Sequence, residues 1–241
     1  MNEPSLGLTR DDPGKAVLGT VPVEADGSAY FRVPSGVAVF FQALDAQGRA
    51  VQTMRSATHV QPGQTLSCTG CHESRYNSPP AQSPLAALRE PSKITPGPDG
   101  SWPLRFDRLI QPVLDAQCVR CHNPKGEDAL AAKYDLTPAR AYDALTQYGK
   151  PSLLDQVLLA YREGVSTEGR NPAQNSAVLA LLCAPDGHAG VKLDRDSLDR
   201  FVTWIDTYGQ RQGSFSEDQE QRLVALRDEL TASVWLAVPA K

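Results

Sequence analysis

Apolar residues recur with two different periods along this chain. Between residues 16 and 54 they form short β-branched or aromatic runs, AVLGTVPV, SAYFRV, GVAVFFQAL and RAVQTM, of the kind that suits a pleated, half-buried surface. The breaks Asp26-Gly27, Pro34-Ser35-Gly36 and Asp45-Ala46-Gln47-Gly48 carry turn chemistry. The pattern predicts a β meander or small sandwich. From residue 104 the period becomes helical: Phe106, Leu109, Ile110, Val113 and Leu114 share one helix face that runs into Cys118. Leu153, Leu154, Val157, Leu158 and Tyr161 repeat the spacing after Pro151. Leu198, Phe201, Val202 and Ile205 do so after Asp194, an expected N-cap. A helix over 176–182 leads to Cys183, which reads as a buried apolar residue at its end. The last helix is expected to start at the capping box Ser216-Glu217-Asp218-Gln219 and to carry Leu223, Leu226 and Leu230 on one face.

Four of the five cysteines form two C-x-x-C-H motifs, Cys68-Thr69-Gly70-Cys71-His72 and Cys118-Val119-Arg120-Cys121-His122. Two thiols at this spacing can form thioethers with the two vinyl groups of one haem, and the following imidazole then lies under the iron. A four-cysteine zinc ribbon would use the same sulfurs but has no use for the histidines. Four histidines placed at random in 241 residues would follow both pairs with a probability of about 0.0003, so the sequence points to two covalent haem c groups. A thioredoxin-like redox pair fits less well, since the motif occurs twice and neither copy follows a β-α-β pattern.

The fold class expected is therefore α+β. A β module over residues 1–76 ends in the first motif, and an α-helical cytochrome c-type domain over 104–241 carries the second. Between them, residues 77–103 hold seven of the nineteen prolines and read as an extended linker, without regular elements, wrapping across the protein. With 41% hydrophobic and 22% charged residues and a net charge of -4, the composition is that of a globular protein. It has no basic footprint of a nucleic-acid binder and no apolar run long enough for a membrane span. Thioether attachment of haem takes place outside the cytoplasm, so a periplasmic or otherwise extracytoplasmic location is expected. The first twenty residues offer no apolar h-region of a secretion signal.

Axial ligands decide what each haem can do. The only methionines are Met1 and Met54, so none lies downstream of the second motif, and the sole histidine beyond His122 is His188. Glycines at 187 and 190 would let its loop approach a haem face closely. His188 is the expected sixth ligand of haem II, against the plainer reading of a solvated loop histidine. Bis-histidine ligation with His122 would saturate that iron and suit it to electron transfer. For haem I the nearby groups are His72, Met54, His59 and Tyr76. A Tyr76 phenolate would favour ferric iron and leave the opposite face open, with Arg75 available to stabilise it. By residue type alone, Tyr76 reads as a packing aromatic and His59 as a polar residue near a strand end.

The stretch from Leu18 through Tyr76, with its C-x-x-C-H-x-x-x-Y spacing, resembles the middle domain of the hydrazine synthase alpha subunit family. The region from Phe106 to Asp206 resembles the C-terminal haem domain of that family. The resemblance implies that Cys68 and Cys71 attach haem I, that Tyr76 ligates its iron in a five-coordinate site, and that His72 turns to a zinc ion. It implies that Cys118 and Cys121 attach haem II between His122 and His188. Family members carry a β-propeller ahead of this region and partner subunits with further haems, and no propeller is present in this sequence. The reading that needs only these sites is a dihaem electron carrier or redox subunit serving a redox partner protein or a larger multihaem complex. A redox enzyme acting on a small nitrogen or oxygen species at an open haem I is the alternative, and a docking module built on the β region comes third.

Overall fold

The side chain of Asp45 builds the turn between two antiparallel strands, β1 (Gln42–Leu44) and β2 (Ala50–Thr53): its Oδ1 accepts the backbone N–H of Gln47 at 2.8 Å and that of Arg49 at 2.9 Å. Gly48 supplies the left-handed residue of the turn at φ 80°. The structure, a computed structural model, describes residues 5–10, 12–70, 76 and 83–236, and among these the two strands form the only sheet.

The other extended runs of the N-terminal region do not join that sheet, so the expected meander or sandwich is reduced to a hairpin with extended arms. Thr20 bridges to Thr95, Phe31 to Ser92 and Val39 to Thr58, each singly. The arms spend their backbone groups on the proline-rich stretch: Thr20 and Thr95 exchange N–H···O bonds of 2.9 Å, and Ser92 donates to the Tyr30 carbonyl at 2.8 Å. That stretch is not wholly irregular either. A 3-10 turn at Leu85–Leu88 follows Pro84, with Asp26 Oδ2 accepting from Leu85 N at 2.8 Å and Ser28 Oγ from Ala86 N at 3.0 Å. Beyond it, Ile94 N–H donates to the Val234 carbonyl at 2.7 Å and ties the stretch to the C-terminal end.

The helical part follows the 3.6-residue period more closely. Phe106, Leu109, Ile110, Val113 and Leu114 are all buried, in α1 (Phe106–Leu109) and α2 (Gln111–Gln117). The two are parted at Ile110 by Pro112 in the first turn of α2, where a missing N–H costs least. Then come α3 (Ala141–Thr146), α4 (Leu153–Glu163), α5 (Ala177–Leu182), α6 (Arg195–Asp206) and α7 (Glu217–Thr231). Asp194 caps α6 as its spacing predicts, accepting from Ser197 N at 2.8 Å. Ser152 and Asp155 form a reciprocal capping box on α4. At the centre Phe106 meets Tyr142 edge-on at 5.3 Å and Trp204 at 5.1 Å, contacts that stabilise beyond their buried area. Tyr142 stays protonated, its pKa pushed well up by burial, and donates to the Gly209 carbonyl at 2.7 Å.

α7 departs from expectation. Ser216 does cap it, but Gln219 Oε1 accepts from Phe215 N at 2.9 Å rather than from its own cap residue. Leu226 is exposed and Leu223 and Leu230 are half-buried, whereas Glu220 is buried. Glu220 pairs with Arg105 at 2.7 Å and Arg108 at 3.1 Å, which turns a charged side of α7 toward the body of the protein. In α4, Leu158 is likewise exposed.

The hairpin is fastened to the helices by polar groups. Asp206, at the end of α6 and only 2% exposed, accepts Ala50 N–H at 2.7 Å and Ala173 N–H at 2.9 Å. Its carbonyl accepts from Gln42 Nε2 at 2.9 Å. The fully buried Gln210 accepts from Lys15 N at 2.8 Å and donates to the Leu104 carbonyl at 2.7 Å, joining the N-terminal arm to the entry of α1. No described helix is long and apolar enough to cross a membrane.

Candidate functional site

The ladder of α2 continues into the second cysteine motif. Cys118 N–H donates to the Leu114 carbonyl at 2.8 Å, Cys121 to Cys118 at 3.1 Å and His122 to Cys118 at 2.9 Å. One tightened turn thus carries both thiols and the imidazole on the end of a helix whose other face is core. Cys118 is half-buried and packs against that core, while Cys121 is exposed. Burial, with the neighbouring Cys121 as a second cause, raises the pKa of the Cys118 thiol.

After His122 the chain loops out and returns at Leu136, whose N–H donates to the His122 carbonyl at 3.0 Å and whose own carbonyl accepts from the buried Gln111 Nε2 at 3.1 Å. Within the loop, His122 Nδ1 lies 3.1 Å from the Ala131 carbonyl and 3.1 Å from that of Tyr134. A carbonyl oxygen can only accept, so Nδ1 carries a proton, and in the neutral imidazole the lone pair for a ligand is then on Nε2. Such a hydrogen bond orients a ligating imidazole and raises its basicity.

His188 comes to the same place from the other side. It opens a two-residue turn closed by His188 N to Val191 O at 3.0 Å and Val191 N to His188 O at 2.9 Å. Ala189 and Gly190, at φ 50° and 81°, give the turn its left-handed pair. Gly187 lies at φ 70°, and a Cβ there would strike the Val191 carbonyl. The glycines make the turn itself. The two imidazoles stand with ring centroids 5.7 Å apart and planes 30° apart. Both are half-buried, and Cys118, Val119, Tyr148, Leu182 and Leu193 pack on the core as half-buried neighbours. Among the described residues no group of three or more His, Cys, Asp or Glu side chains could hold a metal ion by itself.

The first motif is described only in part. Cys68 is exposed, and Tyr76 is 97% exposed. Cys71, His72 and Arg75 lie outside the described residues. His59 is exposed next to the Val39–Thr58 bridge, and Met54 is half-buried with its N–H on the Phe41 carbonyl. Cys183 corrects an expectation: it is exposed, one position past the end of α5, with Arg49 Nη2 4.0 Å from its sulfur. α5 turns Val178 and Leu179 to the core, which leaves Cys183 to the surface.

Residues 8–73 match the hydrazine synthase alpha subunit middle domain. The hydrazine synthase subunit alpha of Kuenenia stuttgartiensis is 27% identical over a match that covers 55% of this chain and 24% of that protein. Over part of its length, then, the chain is similar to the hydrazine synthase alpha subunit. The domain match takes in Cys68, Cys71 and His72 and stops before Tyr76 and the second motif. The chain spans about a quarter of the length of that relative. No solved structure matches. Sequence reasoning missed Asp128, Gln111 and Asp206. Asp128-Ala129-Leu130 is an Asx-turn sequence that could have been read, whereas the other two owe their roles to residues far along the chain.

Proposed function

We propose that the chain is a dihaem c-type cytochrome that serves electron transfer, as a carrier or as a redox subunit. The observation that supports this most is the His122–His188 pair, 5.7 Å apart, standing over a turn that presents Cys118 and Cys121. These residue types suit a covalently held haem: two sulfurs for thioethers, one imidazole with Nδ1 hydrogen-bonded to backbone carbonyls, and a second imidazole close by. Bound there, haem supplies a one-electron iron couple. The chain's own part would be to hold the His122 and His188 imidazoles in place as ligands, leaving no open site for a small molecule. The short, hydrogen-bonded turns on each side would keep that geometry in both oxidation states.

For the first motif the reading rests on the family likeness. It gives Cys68 and Cys71 the attachment of haem I, with Tyr76 or His72 as its iron ligand, and makes His72 a zinc ligand where Tyr76 takes the iron. The match of residues 8–73 favours a second reading, in which haem I is open and the chain acts on a small nitrogen or oxygen species as a haem-dependent oxidoreductase. The relative is by name a subunit, so a partner protein or multihaem assembly outside the cytoplasm belongs to the proposal. Intact mass and electron paramagnetic resonance of the isolated protein test it. Two haem groups that survive acid–acetone extraction, one of them low-spin, are expected. Complete loss of haem to the solvent would overturn it.

A further inference from the structure

The turn that receives the His122 proton has no core of its own. Ala131–Lys133 forms a single 3-10 turn with no buried residue, Leu130 before it is 69% exposed and Tyr134 after it is 47% exposed. Packing therefore does little to fix where the Ala131 and Tyr134 carbonyls point, and hydrogen bonds must do it. Asp128 supplies them. Its Oδ1 accepts the N–H of Leu130 at 2.7 Å and of Ala131 at 3.2 Å, and its carbonyl accepts the N–H of Ala132 at 2.9 Å. The turn closes with Tyr134 N–H on the Ala131 carbonyl at 3.0 Å.

We propose that Asp128 is a positioning residue for the axial imidazole: by capping this turn it aims the Ala131 and Tyr134 carbonyls at His122 Nδ1, and so sets the orientation and basicity of Nε2. The linkage is continuous, from the Asp128 carboxylate to the Leu130 and Ala131 amides, to the Ala131 carbonyl, to Nδ1, with no contact between Asp128 and the imidazole required. The same two amide donors, Leu130 first, hold the Asp128 carboxyl below the usual carboxylate range. Loosening the cap weakens the Nδ1–H···O=C bond, lowers the electron donation of the imidazole and stabilises ferrous iron, so the midpoint potential rises.

This inference rests on the haem reading above, and its test keeps the two apart. Asp128 is exposed, so Asp128→Ala and Asp128→Asn leave the core intact. Asparagine keeps the accepting oxygen and loses the charge, whereas alanine loses both. In the full haem-loaded chain, Asp128→Ala should raise the midpoint potential of the haem on Cys118 and Cys121 and shift its low-spin g-values, while Asp128→Asn stays near the wild type. Equal potentials and g-values in alanine variant and wild type would overturn the assignment. So would an asparagine variant that moves as far as alanine, since the charge and not the cap would then be acting. If the wild-type chain carries no haem at Cys118 and Cys121, the haem reading falls on that result alone. Hydrogen exchange at His122 C2–H then decides the Asp128 claim: faster in Asp128→Ala than in wild type and Asp128→Asn upholds it, and unchanged exchange refutes it.

Discussion

The carboxylate of Asp206 accepts the backbone N–H of Ala50 at 2.7 Å, and through this bond the end of α6 grips the β-hairpin at a point sealed from solvent on both sides. A second amide, Ala173 N–H, uses the other oxygen. Replacing Asp206 by Ala orphans two buried donors at about 1–3 kcal/mol each, so a fall in the urea midpoint is expected. Asp206→Asn keeps one acceptor and should lie between the two.

The same group gives stability a pH dependence. Burial raises the Asp206 carboxyl from its ordinary 3.8 to about 6. Between these values the folded chain holds a proton that the unfolded chain releases. The Asp206 contribution is therefore fully present below about pH 4, falls as pH rises and is lost above the folded value near 6. Urea titrations across this window should show that component in the wild type and a flatter profile in Asp206→Asn. An unchanged slope would mean that Asp206 is ionised throughout.

Helix positions were legible in the sequence where one face alone meets the core, as in Phe106–Leu114 and Phe201–Ile205. α3 was not: it is as short as α5, but Arg140 stands where α5 has the capping Ser176. The strand pattern of residues 16–54 misled for a physical reason: β-branched and aromatic runs suit any extended chain, and around Thr20 and Phe31 the chain is extended without a strand partner on a sheet. The leucines of α7 misled because the Glu220 ion pairs, not hydrophobic burial, choose which side faces inward. At the site, the scarcity of histidine and methionine picked out His122 and His188 before any geometry. The groups that hold them in place, Asp128 and the Ala131 and Tyr134 carbonyls, act through a turn whose closing contacts depend on where the chain returns.

Gly187 is the residue of the His188 turn least open to change. A Cβ at φ 70° would also meet the Val191 carbonyl, so Gly187→Ala should cost about 1 kcal/mol or more. On the proposed bis-histidine reading of haem II, carbon monoxide binding reads this directly: the variant should admit it, and the wild type should not.

The cysteines should act independently. On the proposed dihaem reading, Cys118→Ala should weaken or abolish attachment of haem II and leave a haem at Cys68 and Cys71 in place. Intact mass after acid–acetone extraction should fall by one haem group.

At haem I, Tyr76→Phe should abolish a phenolate-to-iron charge-transfer band and raise the potential by removing an anionic donor. His72→Ala should leave that coordination largely intact. Loss of the ligand field in the His72 variant alone would make haem I an ordinary histidine-ligated site.

The central claim is that His122 and His188 hold one iron between them, and the electron paramagnetic resonance spectrum of ferric His188→Ala tests it most directly. The account predicts a bis-histidine low-spin signal in the wild type that turns high-spin in the variant, with a raised haem II potential. A low-spin signal that persists unchanged in His188→Ala would show that another group holds the sixth position and would contradict it.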